Sequence, residues 1–373
     1  MIIESIGTAT PRFALKLEDR HRVAELYVNG DERDRWFVPV IFEKSTVQRR
    51  HCVLMHTEEG DIAQRQSFFP PVLDNPDEKG PSTAERMIAY ESCAADLAQA
   101  ACEDAFAKSP LESSSITHLV TASCTGLTAP GFDLELIDRL HLSPSVQRTH
   151  LGFMGCHAGL NCLRVAAAYT KADPHAKVLV CTTELCTLHY QYVGENDQKI
   201  ANALFGDGAG AVIVIGSSAA QELPQSDFDT TWQITETGSY VIPQTSDMMS
   251  WRIRDHGFTM GLSEQIPEII KQNVPGWFDQ WLADSHLTKE DIKSWAVHPG
   301  GPQILNAFEQ AMELPPAALA IPREILKTYG NMSSATIFFV MKELARQASE
   351  LPCVAVGFGP GITLEATLFT DKD

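Results

Sequence analysis

ITHLVTASCTGLTAPGFDLELIDRLHL, residues 116–142, runs on as SPSVQRTHLGFMGCHAGLNCLRVAAAYTKADPHAKVLVCTTEL to residue 185. ITHLVTAS is short, apolar and rich in β-branched residues, and it stops at the turn-forming TGLTAPG, so it reads as a strand. FDLELIDRLHL follows with apolar residues three and four apart, the spacing of a helix with one buried face. SVQRTHLGFM is a second strand, a Gly-Cys turn leads into the helix AGLNCLRVAAAYTK, and AKVLVCTTEL closes the unit as a third strand. From residue 292 the order returns: the strand IKSWAVH, the turn PGG, the helix PQILNAFEQAM, the shorter apolar segment LAIPREIL in the place of the middle strand, the turn YGN, the helix SSATIFFVMKELARQ and the strand LPCVAVGF. Two β-α-β-α-β halves of matching order predict an α/β fold built by internal duplication about a pseudo-twofold axis. Both halves carry a reactive-looking turn at the same place, Gly155-Cys156 in one and Gly330-Asn331 in the other.

The expected division is an N-terminal half, residues 1–216, holding the cysteine turn, and a C-terminal half, residues 217–373, holding the histidine and asparagine turns. The only seam is the polar run SSAAQELPQSDFD at 217–229. Ahead of the first unit, Ser82-Thr83-Ala84-Glu85 has capping-box spacing and opens an Ala-rich helix to about Lys108. Its shortage of charge predicts a packed central helix.

Composition narrows the class. The 373 residues carry 29 Lys+Arg against 48 Asp+Glu, a formal charge of −19, with 44% apolar and 21% charged residues. That is a globular balance, and the negative charge opposes binding to phosphate backbones, so nucleic acid is not an expected partner. No run approaches the roughly 18 apolar residues of a membrane span. MIIESIGTATPRF lacks the pattern of a secretory leader, which points to the cytoplasm. Nine irregularly spaced cysteines without a CxxC fit reduced thiols, with no disulfide framework and no metal site expected.

Three turns can do chemistry. Cys156 sits where a strand ends at glycine and a helix begins, and helix N-terminal amides stabilise a thiolate. His298 ends a strand and precedes Pro299-Gly300-Gly301, at the carboxyl edge where α/β proteins place their sites. Asn331, in Tyr329-Gly-Asn-Met-Ser-Ser334, would approach Cys156 through the pseudo-twofold. Thiolate, imidazole and carboxamide together suit acyl transfer to sulfur, followed by attack of an enolate stabilised by N–H donors. A Cys-His-Asn peptidase uses the same residue types, but nothing here resembles the sequence around a papain-type nucleophile.

Gly155-Cys156-His-Ala-Gly159, His298-Pro-Gly-Gly-Pro302, Tyr329-Gly-Asn-Met-Ser-Ser334 and Gly357-Phe-Gly-Pro-Gly361, in this order, resemble the type III polyketide synthases, the chalcone synthase-like enzymes. The resemblance spans about Lys44 to the C-terminus. It implies a thiolase fold, a duplicated five-layered αβαβα arrangement working as a homodimer on acyl-CoA and malonyl-CoA, with no bound cofactor. Cys156 would take the acyl group, and His298 and Asn331 would serve decarboxylation. Phe205 matches a gating phenylalanine, and Met260 stands where a second gate is phenylalanine. Lys44 matches a CoA-phosphate contact, while two further basic positions fall at Phe37 and Val40; Arg33, Arg35, Arg49 and Arg50 are the side chains available to compensate.

Cavity positions resemble the bacterial alkylpyrone and alkylresorcinol synthases. Thr125, Ala129 and Cys186 are small where an acyl tunnel would open, with Ala129 on the loop that reaches the partner subunit; Ser333 belongs to the same lining. Trp251, where chalcone synthase has glycine, shrinks the usual elongation space. The starter implied is a medium or long fatty acyl group, delivered by CoA or by an acyl carrier protein. Two other readings are an initiating β-ketoacyl-ACP synthase, which stops after one condensation, and a catalytically silent acyl-CoA-binding protein.

Overall fold

A computed structural model describes residues 1–371 apart from 73–74, 76, 193–195 and 224–231. Nine strands form its main sheet: β1 (Ile2–Ala9), β2 (His118–Ser123), β3 (Gln147–Gly152), β4 (Lys177–Leu185), β5 (Asp207–Ile215), β6 (Gln233–Val241), β7 (Ser294–Val297), β8 (Cys353–Gly359) and β9 (Thr363–Thr370). They lie in the order β7-β8-β9-β6-β1-β5-β4-β2-β3. In the first half β2 pairs parallel with β3 and β4, and β5 is antiparallel to both β4 and β1. In the second half β7 is parallel to β8, and β9 is antiparallel to β8 and β6. Within the sheet the two halves pair at Ile2 with Gln233, and they share a common core between the sheets.

Both faces of the inner strands β2, β4, β5 and β8 are covered, and their side chains are largely apolar on both sides, whereas β3 and much of β6 are exposed and polar. Along β4 and β5, Val178, Val180, Val212 and Val214 point into a shared interior with helices Ala158–Ala172 and Thr336–Arg346. Leu179, Cys181, Ala211 and Ile213 point outward to helices Thr83–Phe106 and Phe132–Arg139. In the second half Val354, Val356, Leu364 and Leu368 face helices Ile266–Asp284 and Pro302–Ala311. The layers are therefore helix, sheet, helix, sheet, helix, which is the thiolase fold. Burying each of these Val or Leu side chains contributes about 1.5–3 kcal/mol.

Two expectations are corrected. LAIPREIL is not a strand: helix Ala320–Tyr329 stands there, because Ile321, Ile325, Leu326 and Tyr329 recur at helical spacing and Ile325 and Leu326 are buried. The second half thus lacks the counterpart of β3. Helix Thr83–Phe106 begins with the expected capping box, Ser82 Oγ accepting from Glu85 N–H and Glu85 accepting from Ser82 N–H, but it lies in an outer layer. Its buried stripe of Ala94, Ala98, Ala101 and Ala105 packs so closely on β1 that a Cβ at Gly7 would stand 2.1 Å from Ala101 O. Nor is the helix short of charge, since it carries Glu85, Arg86, Glu91, Asp96, Glu103 and Asp104; its alanine stripe makes a tight contact on one face only. Of the seam, Ser217–Glu222 is a short helix, and 224–229 lies outside the described residues.

Candidate active site

The cysteine turn is built on glycine. Gly155 has φ +85°, and a Cβ there would come 2.2 Å from Pro360 Cδ, so conformation and space both require glycine. Gly155 N–H donates to Cys124 Sγ at 3.0 Å. Cys156 follows two residues before the helix Ala158–Ala172, with its thiol partly open to an internal cavity. Burial pushes the thiol up to about 11; Ser333 pulls it down by hydrogen bonding, nearby Glu184 pushes up again, and Asn331 pulls down. Most of the free thiol is protonated near neutral pH, so the dipole of the helix does not by itself deliver the thiolate.

The asparagine turn mirrors it. Gly330 has φ +75°, and Asn331 N–H donates to Leu204 O at 2.8 Å while its carbonyl accepts from Gly206 N–H at 3.0 Å. These bonds clamp Asn331 beside Phe205. Its Oδ1 accepts from Ser333 N–H at 2.8 Å, which turns the NH₂ towards Gly300 O at 3.3 Å. Gly300 is two residues beyond His298, whose N–H donates to Val356 O at 2.8 Å in continuation of the β7–β8 pairing. The His298 ring is buried, and neither nitrogen has a hydrogen-bond partner among the described residues. Burial, with His157 nearby, lowers it to about 3, so it is a neutral imidazole. The duplicated turns do converge: Asn331 reaches the Cys156 thiol on one side and the His298 turn on the other.

Thr125, Cys186, Phe205, Trp251, Met260 and Ser333 all line the cavity that Cys156 enters, which is open to solvent at its mouth. Trp251 Nε1 donates to Cys124 O at 2.8 Å. Met260 is fixed by its backbone, its N–H donating to Gln198 Oε1 at 3.2 Å. Ala129 is not in this lining; it sits in an exposed loop of the single chain. Lys44 is exposed at the end of helix Glu32–Lys44, with Phe37 and Val40 half-buried on the same helix and Arg33 and Arg35 exposed. Arg49 is paired with Glu58 at 2.5 Å. Arg50 cannot serve a CoA phosphate, because it is 1% exposed, stacks on Phe42 at 4.4 Å and donates to Ala203 O at 3.1 Å.

Three residues of the site had no assigned role from sequence. Glu184 is fully buried and accepts from Cys124 N–H (3.0 Å), Thr125 Oγ1 (2.7 Å) and Ser334 Oγ (2.5 Å), and burial raises its carboxyl above the ordinary range. A glutamate in the apolar strand VLVCTTEL was the available signal. His157 is held at both nitrogens, by Asn161 Oδ1 at 2.7 Å and Thr363 Oγ1 at 2.5 Å. His189 bonds Thr125 O at 2.8 Å, accepts from Phe258 N–H at 3.1 Å and stacks on Phe258 at 4.1 Å.

Residues 1–219 match the N-terminal domain of chalcone and stilbene synthases, and residues 233–371 match the C-terminal domain. The chain is 32% identical to the alpha-pyrone synthesis polyketide synthase-like Pks18 of Mycobacterium tuberculosis, over 99% of this chain and 90% of the relative. It is also 32% identical to bisdemethoxycurcumin synthase of Oryza sativa subsp. japonica, over 98% of this chain and 90% of that protein. Among solved structures, PKS-I from the brown alga Ectocarpus siliculosus superposes with a TM-score of 0.90 at 26% identity, covering 100% of this chain and 98% of that one. The type III polyketide synthase domain of Dictyostelium Steely1 superposes with a TM-score of 0.86 at 27% identity, covering 99% of each chain.

Proposed function

We propose a function from one premise: this chain belongs to the chalcone and stilbene synthase family, the type III polyketide synthases, which are acyl-transferring condensing enzymes. It loads a medium- or long-chain fatty acyl starter onto Cys156 and extends it with malonyl-CoA to an alkylpyrone or alkylresorcinol. The observation that carries this reading is the Cys156 thiol, touched by Ser333 and Asn331, opening into a cavity that continues past Cys186.

In the first step the Cys156 sulfur attacks the starter thioester. An S–C bond forms, the bond to the CoA sulfur breaks, and CoA leaves as a thiol carrying the proton that Cys156 surrendered. His298, neutral and without a hydrogen-bond partner at either nitrogen among the described residues, is the group assigned to pass that proton to the leaving CoA sulfur; its low basicity means that it does not hold the proton at rest. Malonyl-CoA then loses CO₂, and the electron pair of the broken C–C bond becomes an enolate whose oxygen accepts from Asn331 Nδ2 and the imidazole N–H. The enolate carbon attacks the acyl carbonyl on Cys156, a C–C bond forms, the Cys156 S–C bond breaks and the lengthened chain is left on CoA; for another round Cys156 takes it back by the same thioester exchange, releasing CoA. No bound cofactor takes part, and an acyl carrier protein is the second possible source of the starter.

The working unit is a homodimer in the cytoplasm. Ile88, Leu127 and Ile253 are 66%, 57% and 49% exposed, and they lie on elements that meet. Thr83 at the start of one helix donates its N–H to Asp255 O at 2.8 Å, and a Cβ at Gly126 would overlap the Tyr90 ring of that helix. An apolar patch of this kind suits a second copy of the chain, with the Ala129 loop at its edge. Among the described residues no helix is long and apolar enough to cross a membrane.

The test is product analysis after incubation with malonyl-CoA and a series of acyl-CoAs. Pyrones or resorcinols that retain the starter chain are expected. Release of a β-ketoacyl thioester after one condensation, or absence of any condensation, would overturn the reading.

A further inference from the structure

Helix Ala158–Ala172 starts beside the nucleophile, and a polar stripe along it faces the other half of the molecule. His157 occupies its N-cap, a position that favours Ser, Thr, Asp or Asn, yet the imidazole caps nothing. It reaches across the interior to β9 instead. His157 and Asn161 are one helical turn apart, and Thr363 and Glu365 alternate on one face of a strand, so both spacings are about 6–7 Å and the two elements match. Thr363 Oγ1 lies 2.5 Å from His157 Nε2, and Asn161 Oδ1 lies 2.7 Å from Nδ1. Arg164, a turn further along, pairs with Glu365 at 3.0 Å, and Ser239 Oγ donates to Glu365 at 2.7 Å. His157, Asn161 and Glu365 are buried, in a layer whose other members include Leu160, Ile337 and Phe338.

The backbone is fitted to the ring. In the β8–β9 pairing Gly359 stands opposite Thr363 and Gly357 opposite Glu365. A Cβ at Gly359 would overlap the imidazole, and one at Gly357 would come within 3.1 Å of His157 Cβ. Val356, next along β8, is the residue whose carbonyl holds the His298 N–H. One histidine therefore joins the turn that carries Cys156 to the hairpin on which the His298 turn is built. Cys156 comes from the first half and His298 and Asn331 from the second, so their spacing depends on contacts across this boundary.

The ring is suited to holding and not to reacting. Burial lowers it to about 4 against the opposite pull of Asn161, so it is neutral. Burial raises Glu365, while Ser239, Arg164 and the Asn161 amide draw it down, which puts the Asn161 NH₂ on the Glu365 side and leaves Oδ1 facing His157. An amide oxygen only accepts, so His157 Nδ1 carries the proton and Nε2 accepts from the Thr363 hydroxyl. His157 is not among the residues that line the cavity. Buried polar pairs of this kind fix a register that apolar contacts alone leave loose.

We propose that His157 is a positioning residue: bonded to Asn161 on its own helix and to Thr363 on β9, it locks the register of the two halves and holds Cys156 at its working distance from His298 and Asn331. This rests on the reading of Cys156 as the acyl acceptor.

The experiment compares wild type, His157→Phe, His157→Gln, Thr363→Val and the double variant His157→Phe/Thr363→Val. Acyl loading of Cys156 is read by mass spectrometry, and kcat and KM for malonyl-CoA are then measured per loaded Cys156, which leaves unfolded protein out of the count. His157→Phe keeps the ring and loses both bonds, so kcat should fall about 10- to 100-fold, as when reacting groups are slightly misplaced, with KM within about twofold. Thr363→Val, close in volume, should lower kcat in the same way. His157→Gln, whose carboxamide can donate and accept, should recover most of it. The double variant should be no slower than His157→Phe, because both changes break the same bond. Wild-type kcat in both single variants, or a double loss equal to the product of the single losses, would overturn the lock while loading of Cys156 in wild type upholds the reading of the site. Wild type that takes no acyl group on Cys156 would overturn both.

Discussion

At Cys156 burial pushes the thiol up, while the side chains of Ser333 and Asn331 draw it down. Ser333→Ala removes the larger of the two lowering contacts, so the thiol of the variant should titrate higher. The pH dependence of Cys156 alkylation by iodoacetamide reads this directly; a profile shifted to lower pH would contradict the assigned contact. Asn331→Ala should still accept an acyl group but lose malonyl-CoA decarboxylation by about 10²–10³, the usual cost of a lost oxyanion donor. Unchanged decarboxylation would remove Asn331 from that role. The three turns were legible in sequence because glycines with positive φ mark two of them, Gly155 and Gly330. Glu184 and the burial of Arg50 were not, because a side chain's surroundings depend on which distant segments pack over it, and Arg50 is enclosed by Phe42 and Ala203 from two separate helices.

Among the elements, the 3₁₀ segment Cys186–His189 and the strand Gly257–Leu262 are locked through His189, stacked on Phe258 and bonded on both sides. Burial lowers His189 from 6.5 to about 3. The unfolded chain therefore takes up a proton near pH 6 that the folded chain refuses, and stability present above 6.5 is lost as the pH falls towards 3. His189→Gln abolishes this term, so between pH 7 and pH 5 wild type should lose about 2 kcal/mol more than the variant. Urea denaturation at the two pH values is the check, and equal losses would mean that His189 is charged or exposed in the folded state. Strand and helix periodicity located most elements, and it failed at residues 319–326, where four to six apolar residues fit either period and only packing against the neighbouring helices decides. Helix Thr83–Phe106 was found but misplaced, since a low-charge helix face looks alike whether it meets a sheet, a second copy or the interior.

For the molecule as a whole, two unlike turns of the second half flank one thiol of the first: the His298 turn ends the parallel strand β7, the Asn331 turn ends helix Ala320–Tyr329, and the sheets of the two halves are joined through β1 and β6. The duplication was visible in the order of elements, although the second half replaces one strand by a helix. The cavity was less visible. Thr125, Cys186 and Trp251 line it, whereas the lining at Val23 and Ile62 comes from an N-terminal layer with no motif to mark it. The central claim is that one cysteine carries both starter and growing chain. Its most direct test is peptide mass spectrometry of protein given acyl-CoA and then malonyl-CoA under quench. The account predicts the starter on the peptide containing Cys156, then the same peptide heavier by ketide units, and neither species in Cys156→Ala. Acyl groups on Cys124 or Cys186 with none on Cys156, or a starter on Cys156 that malonyl-CoA never lengthens, would contradict it.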